Sequence, residues 1–157
     1  MKQVENLSSY PMNRRGFLKS AAGAGLWVAA SGFNYGFSPS SAGRPVRIGF
    51  VGVGSRGMAM LKNALMHEGV EIPAVCDIVP ERVEQAQNLI QKAGKARPLG
   101  FTGPEDYRKV AELNNLDAVF TATPWRLHTP VMVAAMKGGK YGGTEMPACD
   151  GLDEAWE

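Results

Sequence analysis

Apolar positions follow two alternating periods over the last two-thirds of the chain. Val46, Ile48, Phe50, Val51 and Val53 make a near-continuous apolar run, the pattern of a strand covered on both faces. Over residues 55–67 the period lengthens. Met58, Leu61 and Leu65 recur at three and four residues, which predicts a helix ended by Gly69. Residues 71–77 read as a second strand, with Pro73 pointing to an irregular or edge-like start. Residues 80–93 predict a second helix that opens on Pro80, lines one face with Val83, Ala86 and Ile90, and stops at Gly94. A short third strand is expected at 97–101. Thr102-Gly-Pro-Glu105 then has the spacing of a capping box for a third helix, which reaches about Leu113 through Tyr107, Val110 and Ala111. Residues 116–123 read as a fully buried strand, 130–136 as part of a helix ended by Gly138-Gly139, and 141–145 as a short glycine-rich strand. Asp150 opens one more helix, inside which the sequence stops at Glu157. Strand and helix alternate throughout, as in a parallel sheet with right-handed crossovers.

The junction between the first strand and the first helix carries chemistry. Gly52, Gly54 and Gly57 fall in the spacing G-x-G-x-x-G. The first permits a tight turn, the second lets a backbone approach a pyrophosphate, and the third lets the helix pack closely on the strand. The unpaired N–H groups and partial positive charge of the helix start suit phosphate. Asp77 lies 20 residues after Gly57, at the end of the second predicted strand, where a carboxylate accepts bonds from the adenosine ribose. A carboxylate there repels a 2′-phosphate, so the expected cofactor is NAD rather than NADP. The other reading of Asp77 is a cap for the following helix. The expected fold is a Rossmann-like, doubly wound parallel α/β sheet.

Charge changes the picture mainly by its distribution. The chain has 157 residues and a net charge of +2. Residues 1–45 hold Lys2, Arg14, Arg15, Lys19 and Arg44 against Glu5, so the basic excess belongs to this leader, and residues 46–157 are net acidic. The domain therefore lacks the footprint expected of a nucleic-acid binder. Cys76 and Cys149 have no metal-ligand spacing and no disulfide framework, and no metal site is expected. Cys76, in an apolar run, reads as a small buried residue.

Asn13-Arg-Arg-Gly-Phe-Leu-Lys19 ahead of a mildly apolar run resembles a bacterial twin-arginine export signal. The run, residues 20–33, is short and diluted by glycine, unlike a membrane span. Ser40-Ser41-Ala42 offers a cleavage site, Val28-Ala29-Ala30 an earlier one; an uncleaved anchor and a plain basic tail are the alternatives. The resemblance implies export by the twin-arginine (Tat) machinery, as a folded protein, to a periplasmic or extracytoplasmic location. Such a protein must load its dinucleotide before export, which favours a cofactor held tightly and regenerated in each turnover. The expected organisation is a leader and linker at 1–45 and an NAD-binding domain at 46–157, cut before its last strand and before any substrate domain.

Four motifs in order carry a family resemblance. They are the strand with Gly52-x-Gly54-x-x-Gly57, Cys76-Asp77, Ala122-Thr123-Pro124-x-x-x-His128, and Glu145-x-Pro147. Together they resemble the Gfo/Idh/MocA oxidoreductases from about Val46 onward. Two positions depart from the usual pattern: Trp125 where most members have Asn, and Met146 where most have Lys. In ordinary members that lysine assists proton transfer at the reacting hydroxyl, which a thioether does not do. Both departures, with the leader, look like the NAD-dependent glycoside hydrolases of family 109, described as α-N-acetylgalactosaminidases.

Their implied chemistry oxidises the sugar 3-hydroxyl, eliminates the aglycone after loss of the acidified C2 proton, adds water and reduces the ketone back. By this resemblance Ser55 and Arg56 contact the pyrophosphate and Asp77 the ribose. Thr123, Pro124 and the run Trp125, Arg126, Leu127 and His128 line the nicotinamide half, and Glu145 with Met146 lies near the nicotinamide. The base and proton donors would come from a C-terminal part, and no catalytic residue is assigned. Plainer readings stand beside these. Arg56 is a solvated helix residue, Trp125 packs at the sheet end, His128 caps a helix and Glu145 closes a strand. The expected partner is a sugar or glycoside substrate, and a homo-oligomer stays open. A periplasmic sugar or polyol dehydrogenase and a non-catalytic dinucleotide-binding module are the alternative functions.

Overall fold

The structure, a computed structural model, describes residues 43–156. The leader, with its twin arginines and both cleavage sites, lies outside the described residues. Five parallel strands form one sheet: β1 (Val46–Val51), β2 (Val70–Cys76), β3 (Leu99–Phe101), β4 (Ala118–Thr121) and β5 (Tyr141–Thr144). Between them run α1 (Ser55–Leu65), α2 (Pro80–Lys92), α3 (Tyr107–Glu112) and α4 (His128–Lys137), with α5 (Leu152–Ala155) after β5. The spatial order is β3-β2-β1-β4-β5. The chain thus winds outward from β1 in one direction, then crosses back and winds outward in the other. The reversal falls between β1 and β4, and ligands of open α/β sheets bind beyond the strand ends at such a switch point.

The periodicities explain the two layers. Leu61 of α1 and Val83, Ala86 and Ile90 of α2 pack on Phe50, Ile72 and Val75 on one face. Tyr107 and Val110 of α3 and Val131 and Ala135 of α4 pack on Val51, Ala74, Cys76 and Val119 on the other. Each buried Val, Leu, Ile or Phe among them contributes about 1.5–3 kcal/mol relative to exposure. Phe50 and Phe120 stack on neighbouring strands, with ring centroids 6.1 Å apart.

The amino end of the sheet is tied electrostatically. Asp117, just before β4, accepts from the Arg47 backbone N–H at 2.9 Å and from the Arg44 guanidinium at 2.9 and 3.0 Å. Arg47 adds its own side chain at 3.1 Å. Arg44, placed by sequence in the linker, is thereby bound to the domain. These two arginines hold the Asp117 carboxyl well below the usual carboxylate range.

One local expectation is corrected. The capping box at Thr102–Glu105 does not form; Asp106 accepts the Gly103 N–H at 2.8 Å and Glu105 turns to Arg108, so α3 starts only at Tyr107. Pro73 marks the irregular, edge-like start expected of it, although β2 lies between β1 and β3. Its missing N–H is accommodated where β3 has not yet joined β2 and where the β1–β2 register shifts between Arg47 and Gly49. The helix of which 130–136 is part runs from His128 to Lys137, after a 3-10 turn at Trp125–Leu127.

Candidate functional site

Beyond the carboxyl ends of β1, β2 and β4 lies a groove of about 190 Å³, floored by Val51, Gly52 and Gly54 and walled by Asp77, Ile78 and Arg82 on one side and by Thr123, Pro124 and Leu127 on the other. The glycines are required by geometry. Gly52 has φ +81°, and a Cβ there would meet the Ala122 backbone at 2.9 Å. A Cβ on Gly57 would strike the Gly52 carbonyl oxygen. A Cβ on Gly54 would meet only the Arg82 guanidinium, at 3.5 Å, so this glycine faces open groove. Two glycines thus close the turn and the third leaves its backbone accessible. Gly54 is the N-cap of α1 and makes no side-chain cap, so the first-turn amides of Ser55 and Arg56 carry no capping side chain and suit an anion. This cradle fits a dinucleotide diphosphate.

Asp77 stands beside the turn, 7 % exposed. Its Oδ2 accepts the Val53 N–H at 2.9 Å, its Oδ1 accepts the Val79 N–H at 3.0 Å, and Arg82 Nη1 lies 3.7 Å from Oδ1. Val79 is the N-cap of α2, so the carboxylate organises that helix start while also lining the groove. Arg56 reaches from α1 to Glu145, with Nη2 3.0 Å from its carboxylate. The bond raises the Arg56 guanidinium above its ordinary value. Glu145 in turn donates its N–H to the Thr121 carbonyl at 3.4 Å, which places the pair at the carboxyl edge.

The remaining predicted residues divide. Trp125 is 61 % exposed, so it is not sheet-end packing; with Pro124 and Arg126 it borders a shallow depression next to the groove. Met146 is 90 % exposed, immediately before a cis Met146–Pro147 bond. His128 requires a correction. It is 1 % exposed and does not face the groove. Its Nδ1 lies 2.7 Å from the Pro147 carbonyl oxygen and its Nε2 2.9 Å from that of Thr123. The imidazole therefore staples the loop after β4 to the loop after β5 rather than lining the cofactor or capping α4. Thr129 strengthens the staple by donating to the Ala148 carbonyl at 3.2 Å.

Sequence reasoning missed Arg82. Among the described residues that line the groove it is the one cation, and Asp77 the one acid. A signal existed: Arg56 and Arg82 both sit in the first turn of a helix, against the helix dipole, which is an arrangement suited to an anion. Cys76, also at the groove, is inert, because burial pushes its thiol up to about 12. Among the described residues no cluster of His, Cys, Asp or Glu could hold a metal.

Comparison with known proteins agrees with this geometry. Residues 46–157 match the model of an oxidoreductase family with an NAD-binding Rossmann fold, Gfo/Idh/MocA. A glycosyl hydrolase family 109 protein of Saccharopolyspora erythraea is 34 % identical over 166 residues, covering 95 % of this chain and 36 % of its own length. An α-N-acetylgalactosaminidase of Bacteroides fragilis is 39 % identical over 112 residues, covering 71 % of this chain and 26 % of its own. The chain spans about a quarter to a third of the length of these curated relatives. Among solved structures, myo-inositol dehydrogenase of Lactobacillus casei in complex with NAD(H) and myo-inositol matches at TM-score 0.62 and 25 % identity, over 71 % of this chain and 31 % of that one.

Proposed function

The chain belongs to the Gfo/Idh/MocA oxidoreductase family and carries its NAD-binding Rossmann domain, and from that premise we propose that it serves an exported glycosidase that uses tightly held NAD in a redox-neutral cycle on α-N-acetylgalactosaminides. NAD when bound supplies the hydride acceptor and donor. The turn from Gly52 to Gly57 seats the diphosphate, Asp77 takes the adenosine side, and Thr123 to Leu127 wall the other half. Proton transfer at the sugar falls to residues outside this domain.

The observation that carries the reading is Met146. It follows Glu145 at the carboxyl edge, exposed, and its thioether neither donates nor accepts a useful proton. The usual dehydrogenase relay is absent from that position, while relatives of the chain bear the names glycosyl hydrolase family 109 protein and α-N-acetylgalactosaminidase. Export is supported by Arg14-Arg15 in the leader.

The test is release of p-nitrophenol from its α-N-acetylgalactosaminide by the full-length protein without added NAD. A dehydrogenase is the second reading, favoured by the fold match to an inositol dehydrogenase. It predicts NADH accumulating in proportion to sugar consumed and no aglycone release.

A further inference from the structure

The Val53 amide lies between Gly52 and Gly54, at the apex of the phosphate turn. The amides that flank the turn are bonded to main chain: before it Gly52 N–H donates to the Cys76 carbonyl at 2.7 Å, and after it Met58 N–H to that of Gly54 at 2.8 Å. Val53 N–H instead donates to the Asp77 carboxylate at 2.9 Å. The Val53 side chain is anchored in the core while its amide is held by the carboxylate, so the residue is fixed from two sides. Resting on the dinucleotide reading, we propose that Asp77 is a positioning residue for the phosphate turn, acting on the cofactor through the Val53 amide as well as through the ribose.

The bonding supports a clamp of some strength. Oδ1 is tied to Val79 N–H at 3.0 Å and lies 3.7 Å from Arg82, so the carboxylate is fixed from α2 while Oδ2 holds the turn. Charge-assisted bonds to a largely buried carboxylate are stronger than neutral ones. Truncation leaves two backbone donors without partners, and the turn is free to leave the shape in which Gly54 faces the groove. A carboxylate has about four lone-pair sites, so the clamp does not exclude ribose contacts.

The probe that separates the two roles is an NAD analogue with a 2′,3′-dideoxyadenosine half, which offers Asp77 no ribose hydroxyl. It is titrated against the full chain and Asp77→Ala, alongside NAD. The clamp predicts that D77A weakens the analogue about tenfold, the worth of one charge-assisted bond. Hydrogen exchange of the free protein gives a second readout. The Val53 amide should exchange faster in D77A while those of Val75 and Val119 keep wild-type protection. Asp77→Asn, which retains one oxygen acceptor, should fall between wild type and D77A in both measurements. It carries the test if D77A fails to fold. Wild-type affinity of D77A for the analogue, with NAD binding weakened, would assign Asp77 to the ribose alone and overturn the proposal. Unchanged exchange at Val53 would do the same. Should the wild-type chain bind neither dinucleotide, the cofactor reading fails, and the exchange of Val53 still decides whether the clamp exists.

Discussion

Replacing Gly57 and Gly54 singly by alanine should separate folding from binding within one turn. At Gly57 the new methyl would meet the Gly52 carbonyl oxygen, a backbone atom that no rotamer change can move aside. The start of α1 must lift away from β1, and overpacking of this kind costs about 1–3 kcal/mol, here toward the upper end. Alanine recovers about 1 kcal/mol of helix propensity, so the net destabilisation of G57A is about 2 kcal/mol. At Gly54 the backbone sits at φ −69°, which alanine adopts freely, and the methyl meets only Arg82 at 3.5 Å. G54A therefore loses only the preference of glycine at an N-cap, at most about 1 kcal/mol. Its methyl instead occupies the groove where the diphosphate must approach the backbone. Urea denaturation and NAD titration by calorimetry measure the two effects. The expected pattern is a large stability loss in G57A, and in G54A near-normal stability with NAD affinity reduced about tenfold or more. Wild-type stability of G57A, or wild-type NAD affinity of G54A, would refute the assignment of the glycines.

His128→Ala should cost about 2–4 kcal/mol, because it removes a fully buried ring and with it the contacts that join the Thr123 and Pro147 carbonyls; a urea midpoint equal to wild type would show that the staple is idle. Asp117→Asn should remove a pH-dependent part of the stability. The folded carboxyl is depressed below its unfolded value of about 4, so its contribution is present above that pH and fades as acid protonates it. The gap between wild type and D117N in urea should be constant above about pH 5 and narrow below it; a gap independent of pH would contradict the ion-pair assignment. Cys76 should resist a thiol reagent at pH 8 in the folded chain while Cys149, only partly buried, reacts. One thiol is then counted before unfolding and two after, and two before unfolding would mean that the groove floor opens.

The architecture was readable because it rests on periods within single elements. Val83, Ala86 and Ile90 fall on one face of α2 by spacing alone, and all three are buried. The β1 run predicted a strand covered on both faces, and Phe50 and Val51 point into opposite layers. What failed was decided by which partner wins. Thr102 and Glu105 have capping spacing, but Asp106 is nearer the Gly103 amide and Glu105 has Arg108 one turn on, so local competition removed the box. Pro73, by contrast, forbids one ladder bond, and the irregular start it announces is present, because β3 joins β2 only from Ala74.

The same division runs through the site. Glycine spacing is a covalent fact and survives into the fold unchanged. His128 depends on Thr123 and Pro147 coming together from two loops, which no local pattern contains. Asp77 is the instructive residue. Its sequence allowed a ribose acceptor or a helix cap, treated as rivals. The carboxylate binds the α2 start with one oxygen and the phosphate turn with the other, and still borders the groove. An acid at the end of the second strand can thus read the cofactor and shape its seat at once, because strand end, glycine turn and helix start converge at the switch point. On that proposal, cofactor selectivity and turn rigidity are coupled through one side chain. A substitution meant to admit a 2′-phosphate should loosen the diphosphate seat in the same step, unless a new acceptor is supplied for the Val53 amide.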